Sequence, residues 1–174
     1  MKLGMLKTSF ASLDENILPS LYTSLVRSHL EYGNTIWGPH FKGDVIAVEK
    51  VQRRATKLVR PIKDLPYEER LRHLNLPSLM HRRRRGGMIF TYKLFTEKVG
   101  LDKKDFFSLS QSAVRGHDHR VIKRKATKLC RINAFSNRVI DDWNKLPKEL
   151  VSETSINSFK NSLDWKEEML VTPF

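Results

Sequence analysis

The sequence predicts a mainly α-helical protein. The expected architecture is a small multi-helix bundle over residues 1–76. A second part, residues 77–174, carries a basic loop or hairpin (115–131) and two short C-terminal helices. Three observations lead there. Apolar residues recur at three- and four-residue steps over several stretches, which is the period of an amphipathic helix. Residues suited to capping precede those stretches. Only around Val121 and Ile122 is there a weak period-two alternation.

The first clear stripe is Ile17, Leu18, Leu21, Tyr22, Leu25, Val26 and Leu30, with Asp14 placed to cap it, Pro19 in its first turn and Gly33 to end it. Thr35-Ile36-Trp37-Gly38-Pro39 reads as a turn. A second helix, from about Asp44 to Val59, has Val45, Val48, Val51, Gln52, Ala55, Leu58 and Val59 on one side. Lys50, Arg53, Arg54 and Lys57 fall mainly on the other. Pro61 and Pro66 bracket a loop, and a short helix follows from Tyr67 to about Leu74. Ser78 is placed to cap a longer helix reaching about Glu97, with Leu79, Ile89, Phe90, Leu94 and Phe95 on its apolar side. Arg82 to Arg85 fill one full turn of it and so point around the whole circumference. At least one must lie near the core, paired or snorkelling. Gly86-Gly87 costs about 2 kcal/mol in a helix interior relative to two alanines, which points to a kink or a close approach. Phe106-Phe107 is expected to anchor a loop on the core. Asn133 can cap a helix bearing Phe135, Val139, Ile140 and Trp143, and a last helix starts near Thr154 or Ser155.

Charge is the second theme. The chain carries a net charge of +13 over 174 residues. Residues 50–85 hold twelve Lys/Arg against three Asp/Glu, and residues 115–138 hold eight against Asp118 alone. Concentrating like charge works against a compact state, so a polyanionic partner is the simplest reason for it. No run of about 18 apolar residues exists to span a membrane, and one cysteine, Cys130, excludes an internal disulfide framework. An intracellular protein, in nucleus or cytoplasm, is the expectation.

Catalytic arrangements fail on geometry. Asp141-Asp142 lies in a predicted helix, where neighbours point about 100° apart, unlike a metal-holding pair. His117-Asp118-His119 lacks the further ligands that zinc needs and reads as exposed histidines in a basic loop. Cys130, beside Leu129, reads as an inert packed thiol. No glycine loop suits a phosphate. The sequence is therefore read as non-enzymatic, without cofactor, metal or small-molecule substrate.

Several segments resemble one family. Leu21 to Gly33 followed by Trp37-Gly38-Pro39 is similar to the region after the palm in non-LTR (LINE-type) retrotransposon reverse transcriptases, nearest the chicken-repeat and jockey group. Further matches follow in order: Glu49 to Thr56, Tyr67 with Arg70-Leu71, Leu74 to Leu79, Arg82 to Gly86 before Tyr92-Lys93, and Arg115-Gly116-His117. Phe135 to Ile140, Trp143 to Pro147 and Ser155 to Lys160 complete the series. The resemblance runs from about Leu3 to Asp164. One departure is Gly87, where the family has an acidic residue, so that one more arginine would lack an intramolecular partner. The fingers, the palm and its aromatic-x-Asp-Asp turn have no counterpart, and Met1 falls just before the thumb, as in a piece of a longer reading frame.

The resemblance implies a thumb-like helical domain and a C-terminal extension that grip template–primer nucleic acid without catalysing its extension. An RNA·DNA hybrid, RNA or DNA would be held by shape and phosphate contacts, with a palm and fingers domain supplied in cis or in trans. The phosphate contacts are assigned to Lys50, Arg53, Arg54 and Lys57, and to Arg82, Arg83, Arg84 and Arg85. Arg120, Lys123, Arg124 and Lys125 form a second patch. The other readings of the sequence are a basic helical module that meets acidic protein and a decayed fragment. The latter would leave residues such as Leu21 and Trp37 exposed.

Overall fold

The computed structural model describes residues 2–10, 13–110 and 117–169, and side chains within residues 3–164 of these. Arg115 and Gly116 of the basic segment lie outside the described residues. The fold is mainly helical, and its only sheet among the described residues has two strands. The chain divides into two compact units, Met1–Arg83 and Arg84–Phe174. That division falls inside the arginine run, whereas the sequence reading put a boundary at 76/77.

In the first unit, α1 (Lys2–Ser9) precedes α2 (Ile17–Tyr22), a π-helical turn (Thr23–Arg27) and α3 (Ser28–Leu30). Together they form the helical run expected over 17–30. Asp14 Oδ1 accepts from the backbone N–H of Asn16 (2.9 Å) and Ile17 (2.7 Å), satisfying two donors that a helix start leaves orphaned. The widened turn coincides with hydroxyls that donate back to carbonyls, Ser24 to Ser20 at 2.8 Å and Ser28 to Ser24 at 2.7 Å. Such bonds compete with the regular backbone pattern. Gly33 then takes φ +64, a left-handed conformation that favours glycine, and its carbonyl accepts from both Ile36 and Trp37 N–H at 2.8 Å.

Helix α4 (Lys42–Thr56) is followed by a 3₁₀ turn (Arg60–Ile62) and α5 (Tyr67–His73). α5 ends at Asn75, φ +48, with Leu76 N–H bonded to the Leu71 carbonyl at 2.9 Å, a left-handed C-terminal closure. The core of this unit is aliphatic for the most part: Leu3, Leu6, Leu18, Val26, Val59, Ile62, Leu74 and Leu76 are buried, with Tyr22 among them.

Helix α6 (Leu79–Phe95) begins in the first unit and ends in the second. Ser78 Oγ accepts from His81 N–H at 3.2 Å, the cap expected there. The helix runs through Gly86-Gly87 without interruption. Gly87 instead lies against Val139, whose Cγ2 would be 3.7 Å from an added Cβ.

The second unit continues with α7 (Lys103–Phe106), β1 (Ser108–Leu109) and β2 (Val121–Ile122), then α8 (Leu129–Ile132), α9 (Phe135–Arg138), α10 (Ile140–Asn144), α11 (Lys148–Val151) and α12 (Ile156–Met169). The strands pair antiparallel, Ser108 opposite Ile122 and Leu109 opposite Val121. The two expected C-terminal helices are thus a chain of single turns before one long helix. Asn133 does not cap α9. Its amide donates backward to the Leu129 carbonyl at 2.9 Å and closes α8 instead, while Ala134 stands at the N-cap. Ser155 caps α12 through its Oγ to Ser158 N–H at 2.9 Å.

The core of the second unit is aromatic. Phe95 stacks on Trp143 (5.1 Å, 11°) and on Phe107 (5.9 Å, 15°), and Tyr92 stacks on Phe159 (4.2 Å, 17°). Each such pair contributes about 0.5–1.5 kcal/mol beyond area burial. Phe107 is buried and Phe106 half-buried against this core, as their anchoring role requires.

Candidate nucleic-acid interface

Helix α4 builds an exposed cationic face on the first unit. Its buried side is set by Gln52, Ala55 and Thr56, with Val51 half-buried. Lys50, Arg53, Arg54 and Lys57 stand at i, i+3, i+4 and i+7 on the outer side, all exposed. At 1.5 Å per residue they span about 10 Å of helix. Among the described residues none of the four makes an ion pair. They line an open cleft of about 410 Å³, closed on the far side by Leu65, Pro66, Tyr67 and Arg70.

The floor of that cleft is a polar scaffold. Arg70 is 4% exposed, and its guanidinium donates to Thr56 Oγ1 (3.0 Å) and to the Leu65 carbonyl (2.5 Å). It thereby ties α5 to α4 and holds the 63–66 loop. Tyr67 donates its hydroxyl to Glu49, whose carboxylate also accepts from Leu79 N–H at 3.2 Å, the first residue of α6. Burial, and then the Glu49 carboxylate, push the Tyr67 phenol up, so it stays a donor. The Arg53 guanidinium lies over the Tyr67 ring at 4.4 Å and that of Arg70 at 5.6 Å. Beneath them, Tyr22 donates to Gln52 Oε1 (2.9 Å) and Gln52 donates to the Pro77 carbonyl (3.0 Å). Gln52 is fully buried.

Sequence reasoning treated Gln52 as one more member of an apolar stripe and gave Glu49, Tyr67 and Arg70 no structural role. The signal was present: a polar residue on a buried stripe must find partners, and Arg70 falls on the Tyr67–Leu74 stripe of α5.

The arginine run behaves otherwise. Arg82 makes a bidentate pair with Glu31. Arg83 donates to the Leu30 carbonyl at 3.0 Å and lies over Trp37 at 5.4 Å, while its Nε is buried without a partner. Burial lowers the Arg83 pKa. Arg84 is bidentate on Asp142, both bonds at 2.8 Å, and Arg85 is bidentate on Asp164. The arginine expected to lack an intramolecular partner because of Gly87 does not exist: each of the four has one. Two close the first unit and two the second.

In the second patch, Lys123 pairs with Asp141, and Arg124 donates to Ser108 Oγ at 2.7 Å. Arg120 is half-buried, and Lys125 is exposed. Asp141 and Asp142 thus serve as counter-ions to Lys123 and Arg84. No group of three or more His, Cys, Asp or Glu among the described residues is arranged to hold a metal. No described helix is long and apolar enough to cross a membrane.

Two smaller expectations fail. His117 is not exposed; it is 3% accessible, edge-on to Trp143, with Nε2 3.0 Å from the Trp143 carbonyl. A carbonyl only accepts, so Nε2 carries the proton and the partnerless, buried Nδ1 is left bare. Burial lowers the pKa of His117, while His119 is exposed as expected, its carbonyl accepting from Trp143 Nε1 at 2.9 Å. These contacts anchor the segment to the aromatic core. Cys130 is exposed rather than packed, because α8 lies at the surface with Leu129 58% accessible.

Fold and site together define a mainly helical, two-unit protein with an open basic cleft on the first unit. No protein-family model matches the chain, and neither the curated proteins nor the solved structures provide a match.

Proposed function

We propose that this chain is a non-catalytic nucleic-acid-binding module, of the kind that stands behind the palm in non-LTR retrotransposon reverse transcriptases, and that it holds template–primer by phosphate contacts. The observation that carries this reading is the outer face of α4. Lys50, Arg53, Arg54 and Lys57 are exposed and unpaired together on one face among the described residues, whereas the arginine run and Lys123 are tied to intramolecular partners and Lys125 alone of the second patch is exposed without one. Phosphate binding is therefore assigned to α4 and its cleft. The run 82–85 becomes a structural staple.

The turn after α3 supports a covering domain, in cis or in trans. Tyr32 (86%), Ile36 (88%) and Trp37 (52%) are exposed there, while Leu21 packs on the core.

The test is binding of an RNA·DNA duplex by the purified chain across a salt series. Four neutralised phosphates give a slope of log K against log salt of about −3.6 for a B-form duplex. A flat salt dependence, or no binding at low salt, removes the reading. Extension of a primer by the pure chain would overturn its non-catalytic part.

A further inference from the structure

Residues 122–132 form a continuous surface strip on the second unit. Every residue in it is exposed except Ala126, and it holds Lys123, Arg124, Lys125, Lys128 and Arg131 with no acidic residue. Among the described residues Lys125, Lys128 and Arg131 make no ion pair. Aliphatic side chains alternate with these cations: Ile122 is 50% accessible, Leu129 58% and Ile132 38%.

The backbone adds a second, independent observation. β2 pairs with β1 on one edge. Its other edge at Val121 is closed by the Asn144 amide, which accepts from Val121 N–H at 3.0 Å and donates to the Val121 carbonyl at 2.8 Å. A side-chain amide there imitates one peptide group of an added strand. Beyond it the chain runs through residues 123–127 without helix or ladder, and no backbone hydrogen bond forms among the described residues. Such an open edge is a template for another backbone.

We infer that the strip 122–132 is a docking edge for an acidic, apolar-bearing peptide segment of a partner protein, added as a strand beside residues 123–127. Its carboxylates meet Lys125, Lys128 and Arg131, and its apolar side chains cover Ile122, Leu129 and Ile132. A phosphate backbone fits less well: it offers nothing to exposed aliphatic groups or to unpaired N–H and C=O in alternation, and the strip has no aromatic ring on which a base would stack. The inference concerns the other unit and is independent of the α4 cleft.

The experiment uses the full chain and a labelled short peptide of alternating Glu and Val, followed by fluorescence anisotropy and by amide NMR shifts. Saturable binding with shifts concentrated in 122–132 is expected. Binding should weaken about tenfold or more in the triple variant Lys125→Glu, Lys128→Glu, Arg131→Glu. It should be lost for the same peptide N-methylated at alternate residues, which keeps charge but removes donors. Equal binding of oligoglutamate or of the methylated peptide would overturn the inference. So would displacement of the peptide by oligothymidylate with shifts in the same residues, or no binding at all.

Discussion

Two basic helical segments of this protein look alike in sequence, and the fold leaves their charge in opposite states. In α4 the cations stand on a face whose other side is buried, and among the described residues no carboxylate reaches them. In α6 four consecutive arginines go round a whole turn, and three of them end in bidentate carboxylate pairs. The density of positive charge in the sequence is thus a poor guide to which cations stay free of carboxylate partners. Free charge on one face is what matters, because a guanidinium already held by a carboxylate gains little from a phosphate.

The largest effect expected from this contrast is on affinity. Replacing Lys50, Arg53, Arg54 and Lys57 with Gln should lower duplex binding about 100-fold or more at moderate salt and flatten the salt slope by about one for each cation removed. Thermal stability should hardly change. Arg84→Gln with Arg85→Gln should do the reverse, leaving affinity within about twofold and costing about 1 kcal/mol of stability per pair, since both pairs are partly exposed. Urea unfolding and anisotropy on the same samples separate the two. If the double variant loses binding as the quadruple one does, the division between free and stapled cations is wrong.

A smaller effect distinguishes the two units by pH. His117 has its pKa lowered from 6.5 by burial, so the folded state favours its neutral form. The unfolded chain then takes up more protons below 6.5, and stability falls as pH drops through that range towards the folded value. The carboxylates Asp118 and Glu153, lowered by hydrogen bonds from Lys148 and from Ser158, lose their contribution only at more acidic pH. The melting temperature should therefore fall as pH drops below about 6.5, and His117→Gln should flatten that decline. An unchanged pH profile in this variant would rule out His117 as its source.

The smallest effect is at Gly87. The space above it accepts a methyl group in ordinary contact with Val139, and the helix is regular there. Gly87→Ala should stabilise the protein by about 0.5–1 kcal/mol. Destabilisation would mean that Val139 cannot accommodate even this contact.

Much of the fold was legible because its signals are local. Asp14, Ser78 and Ser155 cap the helices they precede, and the apolar stripe of α4 faces the core. Asn133 was legible only as a capping residue, since an amide two positions from α9 and at the end of α8 can serve either helix. His117 misled because flanking charge suggested solvent, while the ring was drawn under Trp143, distant in sequence. The candidate site was half legible. The four cations of α4 were identified from period and charge, but the Glu49–Tyr67–Leu79 and Gln52–Pro77 links that shape the cleft were not.

By itself, the sequence determined the helical class, the starts of the longest helices α4, α6 and α12 to within about two residues, and the presence of two basic blocks, since these depend on residues within a turn or two of one another. Only the tertiary structure decided which cations remain free. Glu31, Asp142 and Asp164 reach Arg82, Arg84 and Arg85 across 51, 58 and 79 residues of chain, a separation at which no local pattern carries information. Ion pairing is set by where folding leaves two side chains, and that is fixed by the packing of whole helices rather than by the neighbours of either residue.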